Sequence, residues 1–219
     1  MQHVWGVVVA GGAGTRFGGA KQFALLGGRP VVEWSVVACR EALGHVVLVL
    51  PEGMTDDSFG ADIVVAGGRS RSASVRNGLG AVPADARVVV VHDAARPLAP
   101  PRLFVEVVKA LDGPGVSGAI CAVPVTDTLK RVGRPAGWSG APDVVVETLG
   151  REELVSVQTP QAFIAEVLRR AHAGGGEATD DAALVEATGA TVQVVPGDPR
   201  NLKVTDPEDL SYLEHLLRT

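Results

Sequence analysis

The stretch Val7-Val8-Val9-Ala10-Gly11-Gly12-Ala13-Gly14-Thr15-Arg16-Phe17-Gly18-Gly19-Ala20-Lys21 constrains this chain more than any other. An apolar strand from Val4 to Ala10 runs straight into a glycine loop that carries two cations. Glycines let backbone N–H groups approach a ligand with no side chain in the way. Arg16 and Lys21 add positive charge at the same mouth. Such a loop suits a polyanion, above all the phosphates of a nucleotide. Two glycine signatures compete for these letters. A Walker A loop needs Gly-Lys followed by Ser or Thr, and Gly19-Ala20-Lys21-Gln22 breaks both requirements. A dinucleotide fingerprint needs a third glycine that opens a helix directly. Phe17 stands there instead, and Gly18-Gly19 oppose an immediate helix. Glu52, just past the second strand, stands where a ribose-binding acid would, so the dinucleotide reading is weakened and stays open. A plain glycine-rich strand-to-helix turn is the remaining alternative, and two cations in one short loop argue against it.

Composition narrows the class. The chain has 219 residues, ordinary for one α/β domain. Hydrophobic residues make up 46% but aromatics only 4%, so the core is Val, Ala and Leu, as in a sheet buried on both faces. The net charge of −5 disfavours a surface that coats nucleic acid, and any anion site must be a local cluster. Cys39 and Cys121 lie far apart in no metal spacing, and read as buried thiols in a reducing compartment. The histidines form no ligand pair. No apolar run approaches ~18 residues, and the N-terminus enters a strand with no charged leader. A cytoplasmic protein with no membrane and no nucleic-acid partner is expected.

Taken in order, the chain alternates strands and helices. Pro30 opens a helix as its first residue, and Gly44 stops it. Val46–Leu50 and Ile63–Ala66 are strands. Gly67-Gly68-Arg69-Ser70-Arg71-Ser72-Ala73-Ser74 repeats the strand–glycine–helix design, and its serines serve as caps or as ligand contacts. Val88–Val91 is the strongest apolar run and ends in His92-Asp93-Ala94-Ala95-Arg96-Pro97. An acid at that end of a central strand sits where open α/β sheets bind ligands. Asp93 is thus a candidate Mg²⁺ ligand and Arg96 an anion clamp, unless the two simply pair with each other. Arg102–Leu111 is a helix and Gly118–Val125 a fifth strand. Leu129–Val132 and Val144–Thr148 form the legs of a projecting hairpin that carries Trp138, a surface suited to a partner. After Arg151 the segment 155–161 re-enters the fold, Phe163–Ala173 is a helix, and Thr179-Asp180-Asp181 caps a short helix to Thr188. Thr191–Val195 is a sixth strand, and Thr205 with Glu208 forms a capping box for the last helix. The fold expected is α/β and Rossmann-like. Its sheet is mostly parallel and twisted, with helices on both faces and a β-arm projecting at about 130–155 from a single domain over residues 1–219.

With these stretches in hand, the chain resembles the 2-C-methyl-D-erythritol 4-phosphate cytidylyltransferases of the non-mevalonate isoprenoid pathway. The resemblance spans nearly the whole length. It rests on Ala10 to Arg16, Lys21-Gln22, Gly67-Gly68, Ser74-Val75-Arg76-Asn77-Gly78-Leu79, His92 to Pro97, Pro124 to Lys130, Thr159-Pro160-Gln161, Thr179-Asp180-Asp181-Ala182 and Lys203 to Asp209. It implies a division of labour. Arg16 and Lys21 contact the CTP phosphates and stabilise the transition state. Ala10, Gly11, Gly14, Gly68, Arg69 and Ser74 surround the nucleotide, and Asp93 sits at the Mg²⁺ and ribose side. Arg96, Thr128, Thr159, Arg151 and Lys203 hold the sugar phosphate, with Arg151 and Lys203 also counted among the catalytic groups. The arm implies a homodimer that offers Arg151 to the neighbouring site. The chain departs from the pattern in three places. Ala20 replaces a proline before the loop lysine, the interval from Arg16 to Lys21 is shorter, and Gly150 replaces an acid before the arm arginine.

The implied reaction is attack of a phosphate monoester oxygen on the α-phosphorus of CTP, with release of pyrophosphate. The attacking oxygen is already anionic, so no general base is needed, and the chain has no convincing catalytic His or nucleophilic Ser/Cys arrangement. Three rivals remain: a cytidylyltransferase for another polyol phosphate such as ribitol 5-phosphate, an NAD-type oxidoreductase, and a non-catalytic dimeric interaction module.

Overall fold

The computed structural model describes residues 3–12, 17–54, 58–134 and 143–218. Val4–Val9 (β1) opens the sheet. Leu25–Leu26 (β2) and Arg29–Pro30 (β3) form a tiny hairpin whose turn, Gly27-Gly28, has φ of 58° and 79°, a conformation that costs glycine nothing. The region 22–28, irregular by sequence, is built from this hairpin and a 3₁₀ turn at Lys21–Phe23. Val31–Leu43 (α1) follows, with Pro30 one position outside the helix, and Gly44 ends it in the left-handed region at φ 88°. Val46–Leu50 (β4) and Ile63–Ala66 (β5) lead to Arg71–Ala81 (α2). Ser70 caps α2 by accepting from the Ala73 N–H. Val88–Asp93 (β6), Pro101–Ala110 (α3) and Val116–Pro124 (β7) come next. Lys130–Gly133 (β8) pairs antiparallel with Val144–Thr148 (β9) as the expected arm, while Trp138 lies outside the described residues. Val155–Ile164 (β10), Ala165–Ala173 (α4), Asp181–Glu186 (α5), Thr191–Pro196 (β11) and Pro207–Arg218 (α6) complete the chain.

The central sheet has seven strands in the order β11-β7-β10-β6-β1-β4-β5. All neighbours are parallel except β10, which runs antiparallel to both β6 and β7. The structure corrects the sequence reading in two places. Segment 155–161 is part of a long central strand, and Phe163 belongs to that strand rather than to the next helix. The cap of α6 also moves by one residue. Pro207 takes the first helical position, so Asp206 is the cap residue. Asp209 Oδ2 then reaches back to the N–H groups of Thr205 and Asp206, at 2.6 and 2.9 Å, in place of Glu208.

Period-2 alternation divides the core. Val4 and Val8 of β1 with Leu48 and Leu50 of β4 face Val32, Val36 and Cys39 of α1 and Phe104 of α3. Val7, Val47 and Val49 face Val75 and Leu79 of α2, with Leu168 of α4 and Val185 of α5 further along the same side. A third, smaller cluster of Leu26, Val31, Val204 and Leu213 packs β2 and the start of α1 against α6 and the segment before it. Helix α2 lies very close to the sheet. A Cβ placed on Gly78 would stand 2.6 Å from Val7 Cγ1 and 2.9 Å from Val49 Cγ2, and both valines are fully buried. On the outer side of the same helix, a Cβ on Gly80 would meet open space.

These two glycines give opposite expectations. Gly78→Ala overpacks the α2–sheet contact by more than helix propensity returns, and should cost roughly 1–2 kcal/mol, a fall in Tm of about 3–6 °C. Gly80→Ala should stabilise by about 0.5–1 kcal/mol. Thermal melts followed by circular dichroism check both.

Candidate active site

The strand order reverses around β1. The chain moves outward through β4 and β5, then returns to the other side of β1 as β6. The carboxyl ends of β1 and β6 therefore border the crevice where open α/β sheets bind ligands. Ala10, Gly11 and Gly12 leave β1 there, and Asp93 is the last residue of β6. An added Cβ on Gly11 would stand 3.0 Å from Ser74 Oγ and 3.3 Å from Gly67 Cα, so the two glycine turns meet backbone to backbone. Ser74 Oγ donates to the Ser70 carbonyl at 2.9 Å and accepts from the Gly68 N–H at 3.1 Å. Gln22 Nε2 donates to the Gly12 carbonyl, and Lys21 Nζ donates to the Val204 carbonyl at 2.6 Å.

Asp93 does not pair with Arg96. Its Oδ1 accepts from Arg71 Nε at 2.9 Å and its Oδ2 from Lys203 Nζ at 2.7 Å. Arg71 Nη1 also binds Asp181 Oδ2 at 2.9 Å, and Asp181 Oδ1 takes His172 Nε2 at 3.0 Å. Burial works against ionisation of Asp93, yet Arg71 and Lys203 hold its carboxyl well below the usual carboxylate range. Burial likewise opposes the charge on Arg71, but Asp93 and Asp181 outweigh it and raise the guanidinium above its ordinary value. Arg96 instead donates to the carbonyls of Asn201 at 2.7 Å and Val157 at 3.3 Å, which fastens β10 to the segment before α6.

Two clefts meet on this charged wall. One, of about 500 Å³, is lined by Ala10, Gly11, Lys21, Gly68, Arg69 and Ser74. The other, of about 420 Å³, is lined by Arg96, Val157, Thr159, Gln161, Thr179 and Asp180. Arg71, Asp93 and Lys203 border both. Of the described candidates, Ala10, Gly11, Gly68, Arg69 and Ser74 thus line the first cleft, Arg96 and Thr159 the second, and Lys203 both. Gly14 and Arg16 lie outside the described residues. Thr128 and Arg151 are exposed on the arm and line neither cleft; Arg151 Nη1 donates to the Thr126 carbonyl at 2.5 Å.

Sequence reasoning missed Arg71 and Thr179. Arg71 was visible as the residue after the Ser70 cap, in the first turn of a helix that starts at the crevice. Thr179 was read as part of a cap and of a motif that carries the resemblance, with no role at the site. Among the described residues no cluster of three or more His, Cys, Asp or Glu side chains forms a metal cage. Asp93 nevertheless suits Mg²⁺ by its donor chemistry. That ion takes one or two carboxylates plus phosphate oxygens, and among the described residues each Asp93 oxygen accepts a single hydrogen bond, Oδ1 from Arg71 and Oδ2 from Lys203. No helix among the described residues is long and apolar enough to cross a membrane.

His92, beside Asp93, is fully buried. Burial lowers its pKa from 6.5 to about 4, with Asp93 opposing and Arg96 assisting the shift. The unfolded chain therefore takes up a proton as pH falls below 6.5, while the folded chain does not. The stability contributed by the neutral ring is fully present above that pH and is lost progressively toward pH 4, up to about 3 kcal/mol. Urea unfolding across this window should show the loss, and His92→Phe should remove about one proton from the slope.

Residues 4–219 match the family described as IspD, 2-C-methyl-D-erythritol 4-phosphate cytidylyltransferase. The chain is 40% identical to 2-C-methyl-D-erythritol 4-phosphate cytidylyltransferase of Carboxydothermus hydrogenoformans, covering 99% of this chain and 96% of that one. It is 43% identical to the bifunctional enzyme IspD/IspF of Anaeromyxobacter dehalogenans, and there it spans 57% of the relative's length. The crystal structure of 2-C-methyl-D-erythritol 4-phosphate cytidylyltransferase from Thermus thermophilus superposes with a TM-score of 0.80 at 35% identity, covering 97% of this chain and 98% of that one. The fold around this crevice and the matches along nearly the whole sequence agree, and the chain belongs to the 2-C-methyl-D-erythritol 4-phosphate cytidylyltransferase family.

Proposed function

We propose that the two clefts hold the two substrates of the family's reaction, the transfer of CMP from CTP to 2-C-methyl-D-erythritol 4-phosphate. The observation that carries this reading is the shared wall of Arg71, Asp93 and Lys203 between a glycine-lined cleft and a cation- and hydroxyl-lined one. CTP occupies the first, its base side against Gly11, Gly68 and Ser74 and its phosphates toward Lys21. The acceptor occupies the second, its phosphate toward Lys203 and Arg96. An acceptor phosphate oxygen bonds to the α-phosphorus as the bond to the bridging oxygen breaks, and the electron pair leaves with pyrophosphate. No proton need move, because the nucleophile is already an anion. The barrier is electrostatic: two anions must meet, and charge grows on the departing oxygen. Lys21 and Arg16 answer the second problem, and Lys203 with Arg71 the first. Mg²⁺ held by Asp93 and the triphosphate would add charge neutralisation at the same phosphates.

We further infer a homodimer built by the arm at about 130–155. Val132, Val145 and Val146 on β8 and β9 are more than half exposed in the single chain, an apolar surface that calls for cover. Thr128 and Arg151 sit at the foot of that arm, away from their own clefts, so they act in the partner subunit's acceptor cleft. A reaction that draws on CTP, in a protein whose two cysteines are buried and reduced, is assigned to the cytoplasm.

Lys21→Ala and Arg16→Ala should each lower kcat by roughly 10²–10³ while the KM for CTP changes much less, as read by pyrophosphate release. Near-normal turnover in both would remove them from the reaction. For the arm, Arg151→Ala and Lys21→Ala proteins, each nearly inactive alone, should regain about a quarter of wild-type activity when mixed and allowed to exchange subunits, because half the mixed dimers' sites are then intact. No recovery would place Arg151 in its own subunit's site.

A further inference from the structure

Gln161 is a fully buried polar side chain on a central strand. Strand alternation puts it on the same face as Phe163, which clusters with Leu168 of α4 and Val185 of α5. Its amide is only half used. Nε2 donates to Asp180 Oδ2 at 2.9 Å, and among the described residues nothing meets Oε1. The amide has no freedom to turn over. Asp180 Oδ1 already accepts from the Ala183 N–H as the cap of α5, and a carboxylate only accepts. The amino group therefore faces Asp180 and the carbonyl faces away. A buried carbonyl with no donor carries the full cost of leaving water, so such a group calls for a partner.

Gln161 lines the acceptor cleft together with Arg71, Arg96, Thr179 and Asp180. Arg71 is also one bond short. Its Nε holds Asp93 and its Nη1 holds Asp181, while Nη2 is buried with no partner among the described residues. Arg96 Nε stands in the same condition. Among the described residues, the cleft wall thus carries two unpartnered donors and one unpartnered acceptor. The donors suit a phosphate. The acceptor does not, because a fully ionised phosphate monoester has no hydrogen to give. A carboxylate fails for the same reason. An ammonium group donates to Oε1 but meets the like charge of the Arg71 guanidinium. A hydroxyl satisfies both, accepting from a guanidinium N–H and donating to an amide oxygen.

We propose that Gln161 is a specificity-determining residue of the acceptor cleft. Its Oε1 accepts from one hydroxyl of the acceptor's carbon chain, and the oxygen of that hydroxyl accepts from Arg71 Nη2. Gln161 thereby selects polyol phosphates that carry a hydroxyl at this position. An acceptor without it leaves a buried carbonyl and a buried N–H unmet, and a site built in this way rejects such a compound strongly. The inference rests on the reading of this cleft as the one that holds the acceptor.

The test is pyrophosphate release from CTP with 2-C-methyl-D-erythritol 4-phosphate and with analogues that each lack one of its hydroxyls. Gln161→Met keeps the length of the side chain and removes the amide. It should lower kcat/KM for the full acceptor about tenfold or more, with the KM for CTP within about twofold. On one of the analogues it should lose almost nothing relative to wild type, because the hydroxyl and its partner are then both gone. Asp180→Asn separates reading the hydroxyl from merely holding α5. The new side chain still caps the helix through its oxygen, so its amino group faces Gln161 and turns that amide over. The bond between the two side chains survives, but an N–H replaces Oε1 in the cleft. The preference for the full acceptor over that same analogue should fall about tenfold. The lost charge of Asp180 acts on both acceptors alike and cancels in the ratio. An unchanged preference in Asp180→Asn overturns the proposal, as does a Gln161→Met loss that is equal on every analogue. If Gln161→Met does not fold, Asp180→Asn with the same set of acceptors decides alone. Wild-type protein that releases no pyrophosphate with any of these acceptors overturns the reading of the cleft itself. Wild-type turnover with no hydroxyl that depends on Gln161 overturns this inference only.

Discussion

A single buried carboxylate organises this molecule. Asp93 sits at the end of a central strand, where ionisation is costly unless cations come with it. Arg71 arrives from the start of α2 and Lys203 from the segment before α6, a residue 110 positions away in sequence. Arg71 in turn is shared with Asp181, and Asp181 with His172. The side chains form a row, His172–Asp181–Arg71–Asp93–Lys203, which crosses five segments of the chain. Removing one member would take a partner from a buried neighbour, which is why α2, α4, α5, the end of β6 and the segment before α6 share one arrangement around the crevice.

The two glycine turns serve that row rather than acting as independent sites. Backbone contact at Gly11 and Gly67 lets α2 begin close to the end of β1, and this brings Arg71 within reach of Asp93. The bare face of Gly78 keeps the rest of α2 pressed on Val7 and Val49. A cradle for phosphates and a carboxylate with two counter-charges are therefore one construction, set by how closely a helix can approach a sheet.

What was legible in the sequence follows from which forces are local. Runs such as Val46–Leu50 and Val88–Val91 announce buried strands, and Ser70 and Asp180 announce helix starts, because a few neighbouring residues decide these features. The glycine loop and the acid that ends β6 marked the crevice for the same reason. Strand β10 was not legible as a central strand. Pro160 inside it argues against a ladder, and an antiparallel strand inserted between two parallel neighbours is decided by packing across the sheet. Pairing of Asp93 with Arg96, three residues on, was left as the alternative to separate roles, and the partners of Asp93 were not legible because they come from distant segments.

The link from Lys21 Nζ to the Val204 carbonyl has a consequence for how this protein is made. It spans 183 residues, and Lys203 beside it neutralises a strand formed from residues 88–93. On the ribosome, the glycine loop, β1 and α2 are available early, yet Asp93 lacks its lysine and Lys21 its anchor until residues 203–204 have emerged. The catalytic crevice is therefore among the last parts of the domain to be completed during synthesis. A nascent chain carries its nucleotide loop for most of translation before it has a site in which to use it.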